Sequence, residues 1–324
     1  IGAYIPPKIM TNADFEKIID TNDEWITKRT GIKERRIAEE NEASSDLGAR
    51  AAELAIQRAG IAKEEIDLVI CATVTPDYLC MPSTACLIAS KLGLPNVMAF
   101  DISAACTGFV YATSIAKAFI ESGMKKNVLI IGAEKYTSIL DYTDRTTCFI
   151  FGDGAGAAII SATDNKDEAI IDVNCSSDGN YDDLIKTQGG GSKHPCSQEV
   201  LDNKMACIRM KGNETFKLAV KTLTSDVQVM MQKHNLTNED INHFIPHQAN
   251  YRIIKAVGEA LELNDEQTVV TVDKYGNTSA ASIPMAMNYA YEQGRIKAGD
   301  VVLFDAFGAG LTWGSALFKF APKN

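Results

Sequence analysis

The 324-residue sequence predicts an α/β fold made of two similar halves, and three observations carry that reading. Apolar runs of strand length alternate with helical segments, the pattern of a layered α/β architecture. The same series of segments returns in the second half of the chain. The composition, 46% apolar and 23% charged, is that of a folded protein, and a chain this long buries roughly 75% of its surface.

Asp67–Thr73 (DLVICAT), Val97–Asp101 (VMAFD) and Val128–Gly132 (VLIIG) read as buried strands, each followed by small or polar turn residues. Ser45–Ala59 and Thr107–Ser122 read as helices. The second is apolar nearly all round until Lys117 and stops before Gly123, which places it in the middle of the protein. Ile61–Ala72 resembles Leu236–His247, an offset of 175 between residues 61 and 236. Val97–Cys106 resembles Val269–Asn277, with Asp273 over Asp101 at an offset of 172, and Val128–Glu134 resembles Val301–Phe307 at 173. Phe151-Gly-Asp-Gly-Ala-Gly156 resembles Phe307-Gly-Ala-Gly310 at 156. Offsets this constant indicate duplication of a whole half rather than a short repeat. The halves are expected at 1–165 and 166–324, the first carrying about 17 extra residues between 134 and 151.

The net charge of −10 and pI near 5.0 argue against a general nucleic-acid binder, which needs a basic face. The longest uncharged run, Tyr275–Tyr291, is too short and too polar to cross a bilayer, and no signal peptide is visible. The chain opens at Ile1 rather than Met, so a few leading residues are expected to precede it. None of the eight cysteines forms a Cys-x-x-Cys pair or stands at metal-ligand spacing to a histidine. No metal is expected. The cysteines, mostly in apolar runs, read as reduced core residues of a cytoplasmic protein.

Equivalent strand ends in two like halves converge on one region, where ligands of α/β proteins usually bind. Three such ends carry distinctive residues: Cys106, His247 and Asn277. Cys106 directly precedes the central helix, whose free N–H groups and dipole lower a thiol's pKa, and the small residues around it leave room for a substrate. The competing reading is a structural core cysteine. His247, in Pro246-His-Gln-Ala-Asn250, is equally at home as a core or capping residue, and Asn277 as a turn or N-cap residue. Only the duplication raises all three together. Cysteine, histidine and asparagine in this order also describe a papain-like protease, but no Cys-Gly-Ser-Cys-Trp-like segment surrounds Cys106. The glycine cluster at 151–156 precedes an apolar strand instead of opening a helix, so it is discounted as a dinucleotide loop.

Five segments carry a resemblance. Asp101-Ile-Ser-Ala-Ala-Cys-Thr-Gly108, Phe151-Gly-Asp-Gly-Ala-Gly156, Pro246-His-Gln-Ala-Asn250, Gly276-Asn-Thr-Ser-Ala-Ala-Ser282 and Phe307-Gly-Ala-Gly-Leu-Thr-Trp-Gly-Ser315 resemble β-ketoacyl-acyl-carrier-protein synthase III, the initiating condensing enzyme of bacterial fatty-acid synthesis. The likeness runs from Tyr4 to Phe320, in family order. It implies a thiolase fold, two five-stranded halves in an α/β/α/β/α arrangement, working as a homodimer. It also implies Cys106 as acylated nucleophile, His247 and Asn277 as its partners, and the backbone N–H groups of Cys106 and Ala309 as an oxyanion hole. The second cysteine of thiolases is missing from Gly308-Ala-Gly310, and Asn277 stands where elongating synthases have a second histidine. Both departures favour the initiating type.

The substrates so implied are acetyl-coenzyme A and malonyl-acyl carrier protein, with no metal or redox cofactor. Trp25, Arg29 and Arg145 resemble the groups that meet the coenzyme A nucleotide; Gly212 and Asn250 match its pantetheine tunnel. Phe151 and Phe307 match the acyl pocket, and Met81 the side chain with which a dimer mate closes it. A basic run in an acidic protein, Lys204, Arg209, Lys211, Lys217 and Lys221 against Glu214, with Arg252 and Lys255 beyond, suits an acidic carrier protein. Lys217, Arg252 and Lys255 are its expected contacts; the plain alternative is a solvated helix face. A different starter in a secondary pathway, or a silent coenzyme A or carrier-protein binder, are the competing functions.

Overall fold

The computed structural model describes residues 1–79, 81–94 and 96–322. Cys80, the Lys166 side chain and the last two positions of the second half lie outside the described residues.

The first sheet has five strands, in the order Gly2–Tyr4, Asp153–Ser161, Asn127–Lys135, Leu68–Ala72, Met98–Ile102. Leu68–Ala72 runs parallel to both its neighbours, and Asn127–Lys135 antiparallel to Asp153–Ser161. The three strands expected from the apolar runs are all present. The second sheet repeats the plan: His243–Pro246 parallel to Val301–Gly308, then Thr312–Lys319 and Ile170–Ser177, each antiparallel to the one before.

The second sheet has four strands, not the five expected. Where the fifth would lie, Thr268 makes an isolated bridge to Phe244. Pro246 ends the neighbouring strand and has no N–H to continue a ladder. The Gln248 side chain takes over: its Oε1 accepts from the Thr271 and Val272 N–H groups at 2.7 and 3.2 Å, and its Nε2 donates to the Pro246 and Val269 carbonyls at 2.7 and 3.1 Å. One buried side chain thus does the pairing of a strand end.

Five layers result. Leu47, Ala51 and Ala55 of helix Ser44–Ala59, with Ile88 of helix Thr84–Leu92, cover one face of the first sheet at Val69, Leu129 and Ile131. Leu223 and Val227 of helix Gly212–Lys233, with Ile253 and Val257 of helix Tyr251–Ala260, cover the outer face of the second at Phe244, Leu303 and Leu317. Between the sheets lie helices Gly108–Glu121 and Ser282–Glu292, packed among Ile70, Ile130, Val302 and Phe304. The helix expected to be central is central. Gly154 and Gly156 lie inside a strand, against Met285 and Pro284 of the second central helix, and cradle no ligand loop.

The cysteines are less uniformly buried than expected. The seven described are free, but only Cys71, Cys106 and Cys148 are buried, while Cys86 and Cys196 are exposed. Cys86 sits on the outward face of its helix, so an apolar run did not guarantee burial.

Candidate active site

Each central helix is entered through a one-turn 3₁₀ segment, Ala105–Thr107 and Ser279–Ala281. Each turn opens on a residue in the left-handed region, Ala105 at φ +46° and Ser279 at φ +50°. Such conformations cost roughly 1–3 kcal/mol and persist where the surroundings hold them. The turns pack together. A Cβ on Gly108 would stand 3.3 Å from the Ala280 Cβ, and one on Gly132 only 2.3 Å from the Ala280 carbonyl oxygen. The structural counterpart of Cys106 is therefore Ala280, and Asn277 lies just before that turn rather than opposite Cys106.

Cys106 is 8% exposed. Burial pushes its thiol up to about 12; the Ser279 hydroxyl and a backbone N–H pull the other way, and Glu134 adds to the push. This corrects the expectation of a low-pKa thiol. The helix terminus is there, but loss of water around the sulfur outweighs it, so the resting group is a neutral thiol.

His247 follows the strand His243–Pro246, and its N–H donates to the Asp305 carbonyl at 2.7 Å. Its Nδ1 lies 2.6 Å from the Ser282 Oγ, which also accepts from the Gln248 N–H at 3.3 Å. Ser282 is buried and its hydroxyl has no other acceptor among the described residues, so its proton points to Nδ1. The imidazole proton is then on Nε2, directed away from Ser282. Burial lowers the His247 pKa to about 3, so the ring is neutral at physiological pH.

Asn277 is held by its backbone between the Ile150 carbonyl (2.9 Å) and the Gly152 N–H (3.0 Å). Its Oδ1 accepts from the Ser279 N–H at 2.8 Å, which leaves Nδ2 as a free donor. The Ile150–Gly152 segment is itself anchored by Arg35, fully buried, whose guanidinium donates to the Phe149 carbonyl and to Asn12 Oδ1 and lies over the Phe15 ring. Neither the Cys106 nor the Ala309 N–H has an acceptor among the described hydrogen bonds. A Cβ on Gly308 would stand 2.7 Å from the Cys106 nitrogen, so the strand Val301–Gly308 runs directly under the nucleophile turn.

The other expected residues fall into separate groups. Arg29 and Arg145 both stand over the Trp25 indole, at 4.5 and 5.7 Å, and Phe149 meets its edge at 5.4 Å. Asn250 caps helix Tyr251–Ala260, and its Nδ2 donates to the Arg29 carbonyl at 3.0 Å, joining that group to the His247 segment. Gly212 opens helix Gly212–Lys233 on the surface. Phe151 is buried and stacks on Tyr136 at 4.4 Å; Phe307 is buried in the outer core of the second half. Met81 does not join them: it is 78% exposed, on a loop with the equally exposed Leu79.

The basic run is less of a patch than the sequence suggested. Lys204 and Arg209 are paired with Asp141, Arg209 also with Asp144, and Lys211 with Asp183. Among the described residues Lys217 and Lys221 make no ion pair. Arg252 lies over the Phe216 ring at 5.1 Å, beside Lys217, while Lys255 reaches Glu259 at 3.7 Å. Ser282, Ser279, Gln248 and Glu134 were not singled out from the sequence. Ser282 was visible as the last residue of a quoted motif, but its partner is 35 residues away.

A buried cysteine in one turn, with a neutral histidine and an asparagine tied to residues of the turn packed against it and of the helix that turn opens, is a set of groups able to pass an acyl group through a thioester and to stabilise an enolate. That is the equipment of a thiolase-fold condensing acyltransferase. The 3-oxoacyl-[acyl-carrier-protein] synthase III profile matches residues 100–179, and its C-terminal companion residues 231–320. The chain is 87% identical over 322 residues to the β-ketoacyl-[acyl-carrier-protein] synthase III of Aliarcobacter butzleri, covering 99% of this chain and 97% of that one. Among solved structures it is similar to the 3-oxoacyl-[acyl-carrier-protein] synthase III of Aquifex aeolicus, with TM-score 0.90 at 45% identity and 98% of each chain covered. It is also similar to the priming β-ketosynthase of the R1128 polyketide pathway, with TM-score 0.91 at 33% identity over 99% and 95% of the chains. The chain belongs to the β-ketoacyl-[acyl-carrier-protein] synthase III family, with the family's thiolase fold, and is an acyltransferase of fatty-acid biosynthesis. No described helix is long and apolar enough to cross a membrane.

Proposed function

We propose that the enzyme condenses acetyl-coenzyme A with malonyl-acyl carrier protein through an acyl-Cys106 intermediate, giving acetoacetyl-acyl carrier protein, carbon dioxide and coenzyme A. The observation that carries the assignment of roles is the pair of anchored donors: Ser282 leaves His247 its Nε2–H, and the Ser279 N–H leaves Asn277 its Nδ2. Cys106 attacks the acetyl thioester while its own N–H and that of Ala309 hold the oxyanion. Malonyl-carrier protein then binds. His247 and Asn277 donate to its thioester oxygen, stabilising the enolate left by loss of carbon dioxide. The enolate carbon attacks acyl-Cys106, and the sulfur leaves. Neutral donors suffice, because charge arises at that oxygen only during decarboxylation. The scheme uses no metal or redox cofactor.

Trp25, Arg29 and Arg145 offer an indole face and two guanidiniums for an adenine and its phosphates. Asn250 and Gly212 line the approach, and Phe151 and Phe307 the acyl end. Exposed Leu79 and Met81 suit a homodimer in which each Met81 closes the partner's acyl pocket. Likeness to a polyketide priming synthase supports a second reading, a starter other than acetyl. Intact mass after mixing with acetyl-, butyryl- or isobutyryl-coenzyme A tests both. An acetyl adduct on Cys106 that forms fastest is the expected result; preference for a longer acyl group selects the second reading, and no adduct at all rejects the nucleophile.

Lys217, Arg252 and Lys255 are proposed to meet the carrier protein, since two net-acidic proteins need a local basic contact to associate. Double reversal, Arg252→Glu with Lys255→Glu, is expected to raise KM for malonyl-carrier protein several-fold at low salt and less at high salt, with KM for acetyl-coenzyme A little changed. Equal losses for both substrates would reduce the patch to a solvated surface.

A further inference from the structure

The Cys106 and Ala309 N–H groups come from segments far apart in sequence, and an oxyanion bound by both requires a fixed spacing between them. The Cys106 turn is entered at Ala104, whose carbonyl accepts from the Thr107 N–H at 3.1 Å. Ala309 opens the 309–311 loop between two antiparallel strands, whose last pair is Gly308 with Thr312. Backbone bonds fix the far side of that loop. The Leu311 N–H donates to the Asp178 carbonyl at 2.7 Å, and the Asp178 N–H donates to the Leu311 carbonyl at 2.9 Å. On the side toward Cys106 the tie is a side chain, that of Thr312.

Thr312 Oγ1 lies 3.0 Å from the Ala104 carbonyl oxygen, 3.1 Å from Thr107 Oγ1 and 3.3 Å from the Ala309 carbonyl oxygen. Thr107 Oγ1 also lies 3.2 Å from the Thr312 carbonyl oxygen, which can only accept. Thr107 is fully buried, so its hydroxyl depends on these partners rather than on solvent. One hydroxyl therefore reaches the head of the Cys106 turn and the carbonyl of Ala309 itself.

Two opposing constraints meet here. A Cβ on Gly308 would stand 2.7 Å from the Cys106 nitrogen, so backbone contact limits how closely the two segments approach. The Thr312 hydroxyl limits how far they part. It also supports a strained turn, since Ala105, next after Ala104, sits at φ +46°, a conformation that persists only where the surroundings hold it.

We propose that Thr312 is a positioning residue for acyl transfer, its hydroxyl setting the spacing of the Cys106 and Ala309 N–H groups. The inference rests on the reading that those two groups hold the thioester oxyanion at Cys106. Thr312 takes no part in the bond changes. His247 and Asn277 are held by Ser282 and Ser279 instead, so the donors assigned to the enolate do not depend on it. Losing the hydroxyl should therefore impair attack at the acyl carbon and spare the loss of carbon dioxide.

The test compares Thr312→Val, which keeps the shape and removes the hydroxyl, with Thr312→Ser, which keeps the hydroxyl. Two readings are taken. One is single-turnover acetylation of Cys106, followed by intact mass. The other, from enzyme already acetylated and given malonyl-carrier protein, is carbon dioxide released per acetoacetyl product. Thr312→Val is expected to acetylate about 10–10²-fold more slowly, the scale of a misplaced group rather than a missing one, with KM for acetyl-coenzyme A little changed. Carbon dioxide should then outrun product: the enolate still forms, but part of it takes a proton from water and leaves as acetyl-carrier protein. Thr312→Ser should restore both readings. A wild-type rate and ratio in Thr312→Val overturns the inference. Equal losses in acetylation and in carbon dioxide release overturn it too, as does a Thr312→Ser that behaves like Thr312→Val. No Cys106 adduct in wild type removes the nucleophile, and the inference with it. Should Thr312→Val not fold, Thr107→Val removes a partner of the same hydroxyl; it is expected to shift both readings in the same direction, and wild-type values there overturn the inference.

Discussion

Cys106→Ala is expected to abolish both acyl transfer and condensation, whereas His247→Ala and Asn277→Ala keep a Cys106 that still accepts an acetyl group. The geometry separates the roles. His247 is tied to Ser282, Asn277 to Ser279, and neither bonds to the Cys106 sulfur. Removing either donor takes one hydrogen bond from the enolate, a loss that costs about 10²–10³ in rate for comparable oxyanion donors. Decarboxylation of malonyl-carrier protein should fall by that factor in each variant while the adduct still forms. Because the two donors are proposed to serve one oxygen, the double variant should lose less than the product of the single losses. Wild-type condensation by Asn277→Ala would remove its assigned role.

The second large effect is expected at Gly308. A methyl group there would meet the Cys106 nitrogen at 2.7 Å, the Ala105 Cβ at 3.2 Å and the Cys106 Cα at 3.3 Å. The neighbours are mostly backbone, in a turn whose first residue is already in the left-handed region, so they have little freedom to yield. Gly308→Ala should shift the Cys106 N–H from the place where a thioester oxyanion forms. Acetylation is expected to slow by about 10²–10³, the typical loss of one oxyanion donor, with stability reduced by about 1–3 kcal/mol from overpacking. Thermal melting and the acetylation rate check the two parts separately. A variant that melts lower but acetylates normally would show that the turn moves without moving its N–H.

Much of this was legible in the sequence because it is local. The three strand runs, the helix after Cys106 and the duplicated order of segments depend on periodicity within short windows, and the structure keeps them. Cys106, His247 and Asn277 stood out because each ends a strand of a repeated series. What could not be read depends on contacts between distant segments. Ser282 fixes the His247 tautomer from the start of another helix, and Gln248 ends a sheet by bonding to Val269, Thr271 and Val272. The direction of the Cys106 shift was misjudged for the same reason: the helix terminus is visible locally, whereas the burial comes from the 279–281 turn and the strand ending at Gly308, both distant in sequence. The basic run lost most of its charge to Asp141, Asp144 and Asp183, none of which adjoins it in sequence.

The paired turns before the central helices have one more consequence, for inheritance. If an ancestral half carried one such turn, doubling it produced two equivalent seats for a reactive side chain, now filled by Cys106 and Ala280. A second sulfur at Ala280 would compete for the same narrow space, since the Ala280 methyl already lies close to Gly108. The vacated seat freed its flanks, and Asn277 and Ser282, on either side of it, became supports for chemistry done across the boundary. Duplication here enlarged the scaffold without doubling the sulfur: of the two equivalent seats, one holds a cysteine and the other an alanine.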